Sequence, residues 1–315
     1  MGDLGGFPLV RMRAVWAVEE PLHLRGYPGN AIRGALGRAL RRAVCRQPWR
    51  ECASCGDAAD CAWVRLFRTS SLHTHFSRGG RATPTSPLVI EPPAADVAFA
   101  PGDELRAEVV LVGEAVRDAP IVAVAFERMG DLGLGNWRSR MSLLHVDLAQ
   151  SGGYAVAYAP GRAWRAEGTF SPRLSALMPP APPLTAGASL TIRLVTPLRL
   201  KSSGVLRRDI SFADLVAAAQ WRVQQLGELG VHACCLPSRD AVMAAAGRCR
   251  TTVKELHWED WDAGWWSGGR CPAGGLVGHM SVEGDWEPLL PLLRLAEQVH
   301  VGNGATYGLG KIALA

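Results

Sequence analysis

Two glycine loops in matching surroundings constrain this chain more than any other feature. The later one reads His300-Val-Gly-Asn-Gly-Ala-Thr-Tyr-Gly-Leu-Gly-Lys311, with Gly302, Gly304, Gly308 and Gly310 set among His300, Asn303, Thr306, Tyr307 and Lys311. It follows a leucine-rich helical run between Pro288 and Gln298 and precedes the apolar Ile312-Ala-Leu314. The earlier one, Gly133-Leu-Gly135, follows the apolar run Ile121 to Met129 and leads into a strand-like stretch, Met141 to Val146. Glycine lets a backbone approach closely and take positive φ, so such a loop can turn its amides towards a phosphate. A mobile turn is the bland alternative; the flanking basic and aromatic residues favour polyanion binding. Upstream in each half a basic segment opens a helix, Leu24 to Arg33 and Leu198 to Arg208. Strand, basic turn, helix, strands, helix, glycine loop and strand, twice over, imply two copies of one α+β domain, on pattern rather than on identity.

The length agrees, since 315 residues of 48% hydrophobic composition suffice for about two domains with real cores. The junction is placed at Phe170 to Gly187, where Met178-Pro-Pro-Ala-Pro-Pro183 reads as a semi-rigid linker, giving domains 1–175 and 176–315. No run of eighteen apolar residues is present, so no membrane span is expected. The first residues lack the basic and apolar regions of a signal peptide, which points to a cytoplasmic protein with reduced cysteines. The net charge is only +5, but its distribution is uneven. Residues 1–50 hold nine arginines against Asp3, Glu19 and Glu20, and the chain has three lysines, Lys201, Lys254 and Lys311. Guanidinium suits bidentate phosphate contact. Coding bias accounts for much of the arginine-to-lysine ratio, not for the clustering.

Ala31 to Val44 is the clearest helix. Ala31, Ile32, Ala35, Leu36, Ala39, Leu40, Ala43 and Val44 share one face, with Asn30 as a candidate N-cap. The opposite face carries Gly34, Gly37, Arg38 and Arg41, with Arg33 and Arg42 at its margins, small residues among arginines that would let a phosphodiester lie close. Next come Cys45, Cys52, Cys55 and Cys61, a spacing that suits a structural Cys₄ zinc insertion at about 45–61. A redox disulfide or an iron–sulfur cluster is the alternative; four thiolates leave no open position for a catalytic zinc. Thr69 to Pro93 reads as a loop containing His73 and His75, and Cys234, Cys235, Cys249 and Cys271 read as ordinary residues. The tryptophans at 258, 261, 265 and 266 are assigned to packing in preference to base stacking.

In this order the motifs resemble the CRISPR precursor-RNA-processing endoribonucleases of the RAMP superfamily, end to end. The resemblance rests on Tyr27-Pro-Gly-Asn-Ala-Ile-Arg-Gly-Ala-Leu-Gly37, the cysteine cluster running into Cys61-Ala-Trp-Val-Arg-Leu-Phe67, Pro87 to Pro92, and Gly102-Asp-Glu-Leu with Leu111-Val-Gly113. It continues through Met129 to Gly135, Thr196 to Lys201, Gly274 to Gly278 and the loop from His300 to Lys311. It implies two tandem ferredoxin-like (RRM-like) domains with antiparallel sheets. It also implies cleavage of CRISPR repeat RNA without a catalytic metal, by attack of a 2′-hydroxyl that leaves a 2′,3′-cyclic phosphate and a retained crRNA.

Such a site needs a base for the 2′-hydroxyl and a cation for the phosphorane. Relatives often carry histidine where this chain has Arg38, and arginine cannot act as a base. The catalytic candidates are therefore His23, with Tyr27 and Arg38 or Arg41 beside it, and His300. RNA contact is assigned to Arg25, Arg33, Arg38 and Arg41, to Arg138 and Arg140, to Lys201, Arg207 and Arg208, and to Gly302, Asn303, Gly304, Tyr307 and Lys311. The alternative is a weak or inactive subunit that holds the crRNA end in an interference complex, with other CRISPR effector subunits as partners.

Overall fold

The structure is a computed structural model. It describes residues 4–69, 85–165, 172–177, 189–229, 236–266 and 269–315, with the backbone alone at 263–266 and 269–272. His73, His75, the proline run 178–183, Cys234 and Cys235 lie outside the described residues, as do the side chains of Trp265, Trp266 and Cys271. The chain divides into two compact units, Leu9–Pro172 and Met1–Pro8 with Arg173–Ala315. No helix among the described residues is long and apolar enough to cross a membrane.

The first unit runs β1 (Leu9–Val18), β2 (Leu22–Leu24), α1 (Gly29–Val44), α2 (Ala62–Phe67), β3 (Leu88–Glu91), β4 (Val97–Phe99), β5 (Glu104–Val112), α3 (Ala119–Leu132), β6 (Met141–Gln150) and β7 (Gly153–Tyr158). Five strands form one antiparallel sheet in the order β3-β5-β1-β6-β7, and β2 pairs with β4 apart from it. Central β1 alternates, so Met12, Ala14 and Trp16 enter the core with Ile32, Leu36 and Leu40 of α1 and Phe126 of α3. Trp16 gives its indole N–H to the Phe126 carbonyl at 3.1 Å and meets the Phe126 ring edge-on at 5.5 Å. On the other face Arg11 bridges Glu91 at 2.7 Å and Glu108 at 2.6 Å, and Arg13 pairs with Asp147 at 2.9 Å.

Two local expectations need correction. Leu88–Glu91, read as part of a loop, is a wholly buried strand whose register comes from pairing with β5, a tertiary cause that leaves no local signature. The first helix begins at Gly29, after Pro28, and Asn30 lies inside it, so it has no side-chain cap.

The second unit runs β8 (Leu190–Leu198), β9 (Lys201–Ser202), β10 (Val205–Leu206), α4 (Phe212–Gly227), α5 (Arg239–Gly247), β11 (Cys249–Glu259), β12 (Asp262–Trp266), β13 (Gly269–Pro272), β14 (Gly275–Gly284), α6 (Leu290–Val299) and β15 (Ile312–Leu314). A full capping box of Ser211 and Asp214 starts α4, and Ser238 caps α5. The main sheet is antiparallel in the order β11-β14-β8-β15. Residues 4–8 belong to this unit: Leu4 and Phe7 are buried, and the Leu174 amide donates to the Phe7 carbonyl at 3.0 Å.

Counting only the strands joined through helices, both sheets have the order fourth, first, third, second: β6-β1-β5-β3 and β15-β8-β14-β11. The fold is thus α+β with two tandem ferredoxin-like domains. Each basic turn joins the first strand to the first helix, and each glycine loop joins the second helix to the fourth strand.

Candidate nucleic-acid interface

In the first unit the strand β2 and the first glycine loop build a hollow. Leu22 and Leu24 are buried and His23 between them is exposed, as alternation along a strand requires. The Ser139 hydroxyl donates to the Pro21 carbonyl at 2.7 Å, while the Arg140 amide and guanidinium reach the Glu20 carboxylate at 3.0 and 3.2 Å. These ties seat the loop over β2 and leave a hollow of about 150 Å³, lined by His23, Arg25, Gly135, Asn136 and Trp137 over a leucine floor. The hydrogen bonds from Arg140 hold the Glu20 carboxyl below its usual range.

Arg38, from α1, joins this site through charge. Partial desolvation, then the nearby guanidinium groups of Arg138 and Arg42, push its pKa below the ordinary arginine value. Among the described residues, none of Arg25, Arg38, Arg42 and Arg138 forms an ion pair with a carboxylate. Cations crowded without counter-charge make a site for an anion.

The rest of the α1 surface differs from expectation. Gly37 is buried: a Cβ there would lie 3.0 Å from the Phe67 ring, and the Trp63 indole donates to its carbonyl at 2.9 Å. The close approach it permits is that of α2. Arg33 sits over Phe67 at 5.1 Å and Arg41 over Trp63 at 5.2 Å, both turned to α2, and Arg41 also donates to the Pro48 carbonyl at 3.2 Å. Gly34 stays open: a Cβ there would meet only the Arg38 guanidinium, at 3.4 Å. The Tyr27 hydroxyl is buried, and burial followed by the Glu91 charge pushes the phenol above its usual range, so it is closed to substrate as a proton donor.

In the second unit the glycine loop is used differently. The amides of Val301, Asn303, Tyr307, Gly308, Leu309, Gly310 and Lys311 all donate within the chain, to Gly310, Arg199, Gly304, Ala305, Gly304, Pro197 and the Thr196 hydroxyl. The expectation that these amides face a phosphate is corrected by this knitting. A Cβ on Gly310 would lie 1.8 Å from the Val301 carbonyl oxygen, and one on Gly302 2.6 Å from that of Arg199. The chain that approaches these glycines is the protein itself. His300 is 0% exposed, with φ of 58° and Nδ1 at 3.1 Å from the Leu309 carbonyl, so it ties the loop ends together and is shut off from a 2′-hydroxyl. Arg222, buried on α4, donates to the Val299 carbonyl at the end of α6, and burial pushes its pKa down to about 10. Asn303 is exposed but donates to the Arg199 carbonyl at 3.2 Å, and Gly304, Tyr307 and Lys311 remain partly exposed.

Of the second basic turn, Lys201 and Arg208 are exposed, with Arg208 over the Trp258 ring at 4.6 Å. Arg207 pairs with Asp214 at the start of α4. The four cysteines of 45–61 line one hollow of about 340 Å³. Cys45 ends α1, Cys61 opens α2 and Cys52 and Cys55 bracket a single tight turn; all four are free thiols. Among the described residues no three His, Cys, Asp or Glu side chains converge closely enough to hold an ion without some rearrangement.

Trp137 and Asn136 escaped the sequence reading. The available signal was an aromatic residue set between the glycines and two arginines in Gly133-Leu-Gly-Asn-Trp-Arg-Ser-Arg140.

Comparison with known proteins agrees with this layout. Residues 7–168 match the family model AF_1859_N, an N-terminal domain, and residues 192–312 match the CRISPR-associated endoribonuclease Cas6. An uncharacterized protein of Archaeoglobus fulgidus is 28% identical over 130 residues, 41% of this chain and 43% of its own length, so under half of that relative is matched. Among solved structures, a partial Cas6-RT-Cas1–Cas2 complex aligns with TM-score 0.59 at 14% identity over 99% of this chain and 47% of that one. A Cas6 (TTHB231) product complex aligns with TM-score 0.53 at 14% identity over 98% of this chain and 99% of that one. Thermus thermophilus Cas6 (TTHB231) gives 0.52 at 14% identity with the same coverage. Such low identity establishes a shared fold. The model matched over residues 7–168 places the chain in the AF_1859_N family, and its residues 192–312 are similar to the CRISPR-associated endoribonuclease Cas6.

Proposed function

We propose that the chain cleaves CRISPR repeat RNA without a catalytic metal to release crRNA, and retains the product. The observations that carry this reading are the exposed His23, which shares a hollow with Arg25 on the loop side of β2, and the group of Arg38, Arg42 and Arg138, which lack carboxylate partners among the described residues. His23 removes the proton from a 2′-hydroxyl, whose oxygen forms a bond to the adjacent phosphorus as the bond to the 5′-oxygen breaks. The leaving oxygen takes a proton from water. Arg38 and Arg138 neutralise the phosphorane as charge builds on it, a role for which a permanent cation suffices. The products are a 2′,3′-cyclic phosphate and a 5′-hydroxyl. The stem of a repeat hairpin is held through its backbone by the arginines of the first unit. Lys201 and Arg208, exposed on the second unit, are further candidates for phosphate contact.

Incubating the purified protein with the repeat RNA of its neighbouring array in EDTA, and mapping both ends, tests this. One cut with a cyclic phosphate is expected. Tight binding with no cut, in EDTA or in added metal, would replace the enzyme by a subunit that holds the crRNA end, the reading favoured by arginine in place of histidine on α1. Other CRISPR effector subunits would then be its partners.

We further propose that Cys45, Cys52, Cys55 and Cys61 hold a structural zinc. The shared hollow and the four free thiols support it, and tetrahedral thiolate ligation would tie the end of α1 to the start of α2. One equivalent of zinc, released by a mercurial and absent from a Cys52→Ser/Cys55→Ser variant, is the expected result.

A further inference from the structure

Trp137 is 79% exposed, a large apolar ring left in water at the tip of a loop that has little freedom to relax. Leu134 and Ser139 exchange backbone hydrogen bonds at 3.0 Å in both directions, and the Arg138 amide donates to the Gly135 carbonyl at 3.3 Å. Gly133, Gly135 and Arg138 all take positive φ, of 74°, 76° and 53°. For Arg138 that conformation is disfavoured by its own Cβ, and it persists because the surrounding bonds impose it. The side chain of Ser139 fastens the loop to Pro21, as described above. The backbone that carries Trp137 is therefore held in place before any ligand arrives, and preorganisation of this kind lowers the entropic cost of binding.

Beside the ring lies the hollow of about 150 Å³, with Asn136, Arg25 and His23 on its walls. The combination is that of a site for one nucleotide: a flat apolar surface for a base, an amide that can donate to and accept from its edge, and cations for its phosphate. A base inside a duplex offers neither a free face nor a free edge, so the nucleotide must be unpaired. We propose that the hollow seats a single unpaired nucleotide of the repeat RNA, its base stacked on Trp137 and its edge bonded to Asn136, so that its ribose lies beside His23. This rests on the reading that the chain binds repeat RNA, and it specifies which part of that RNA enters the site: a nucleotide flanking the stem, not one within it.

The probe is the repeat RNA carrying 2-aminopurine at each unpaired position in turn, with a 2′-deoxy substitution at the cut to prevent turnover. Stacking on an indole quenches its fluorescence. One position is expected to be quenched on binding to the wild-type chain and to Trp137→Phe, and to stay bright with Trp137→Ala. The alanine variant should bind roughly 5- to 100-fold more weakly, with an unchanged thermal midpoint, since the ring it lacks faces water. Quenching at every position alike in wild type and Trp137→Ala, with the RNA still tightly bound, would overturn the pocket and leave the RNA reading standing. No binding of the repeat RNA by the wild-type chain would overturn both.

Discussion

The two glycine loops occupy the same place in two copies of one topology, and they spend their atoms in opposite ways. The loop of the second unit turns its amides inward, buries His300 and uses glycine so that its own backbone can pass within van der Waals range of Val301 and Arg199. The loop of the first unit closes with two reciprocal bonds between Leu134 and Ser139 and sends Asn136, Trp137 and Arg138 outward. A duplicated scaffold can thus keep a motif for packing in one copy and for display in the other, and the glycines alone do not say which. The side chains between them do.

The sharpest test of this contrast pits the two histidines against each other. His23→Ala should lower cleavage by about 10²- to 10⁴-fold, the usual range for loss of a general base, with RNA affinity and thermal midpoint unchanged. His300→Ala should do the reverse, lowering stability by about 2 kcal/mol through the lost buried packing and hydrogen bond, with cleavage by the folded fraction preserved. Exchange of these outcomes would move the reacting centre to the second loop. Next in size is Gly310→Ala. A Cβ there would lie 1.8 Å from a carbonyl oxygen at φ of 72°, so a loss of about 3 kcal/mol or more is expected by chemical denaturation.

Arg38→Ala and Arg138→Ala test the display side. Each should weaken RNA binding by about tenfold at low salt and reduce the slope of log K against log salt by about one, at no cost in stability. A gain in stability would be no surprise, because the guanidinium groups repel each other. The smallest effect is expected at the paired helix glycines. Gly34→Ala, with open space around it, should stabilise by about 0.5–1 kcal/mol, whereas Gly37→Ala should destabilise by pressing on Phe67. Differential scanning calorimetry separates the two signs.

The duplication was legible in the sequence because the basic turns and glycine loops are local strings that recur at matching points of each copy. The strand Leu88–Glu91 was not, since only its pairing with β5 makes it a strand. Nor was the use of the second loop's amides, whose acceptors on Pro197, Arg199 and Thr196 lie about a hundred residues away in the chain. For the candidate site, His23 was singled out by its place before a basic helix, and its exposure follows from the buried leucines on either side. Gly37 was misread because a helix glycine looks the same whether a nucleic acid or another helix fills the space above it. Trp137 was passed over in favour of richer tryptophan clusters elsewhere, although its neighbours carried the signal.

Residues 4–8 belong with Arg173–Ala315, not with the strand they lead into. During synthesis, then, residues 4–8 are made before the unit Leu9–Pro172 but find their partners after it. The continuous stretch Leu9–Pro172 can fold as soon as it emerges, whereas Phe7 must wait for Leu174 and for the strands beyond it, about 15–60 s at ordinary rates of elongation. Until then its ring, buried in the folded unit, stays exposed. A change in the residues just ahead of Leu4 would therefore act on the assembly of the unit that continues from Arg173, not on the strand that follows in the chain.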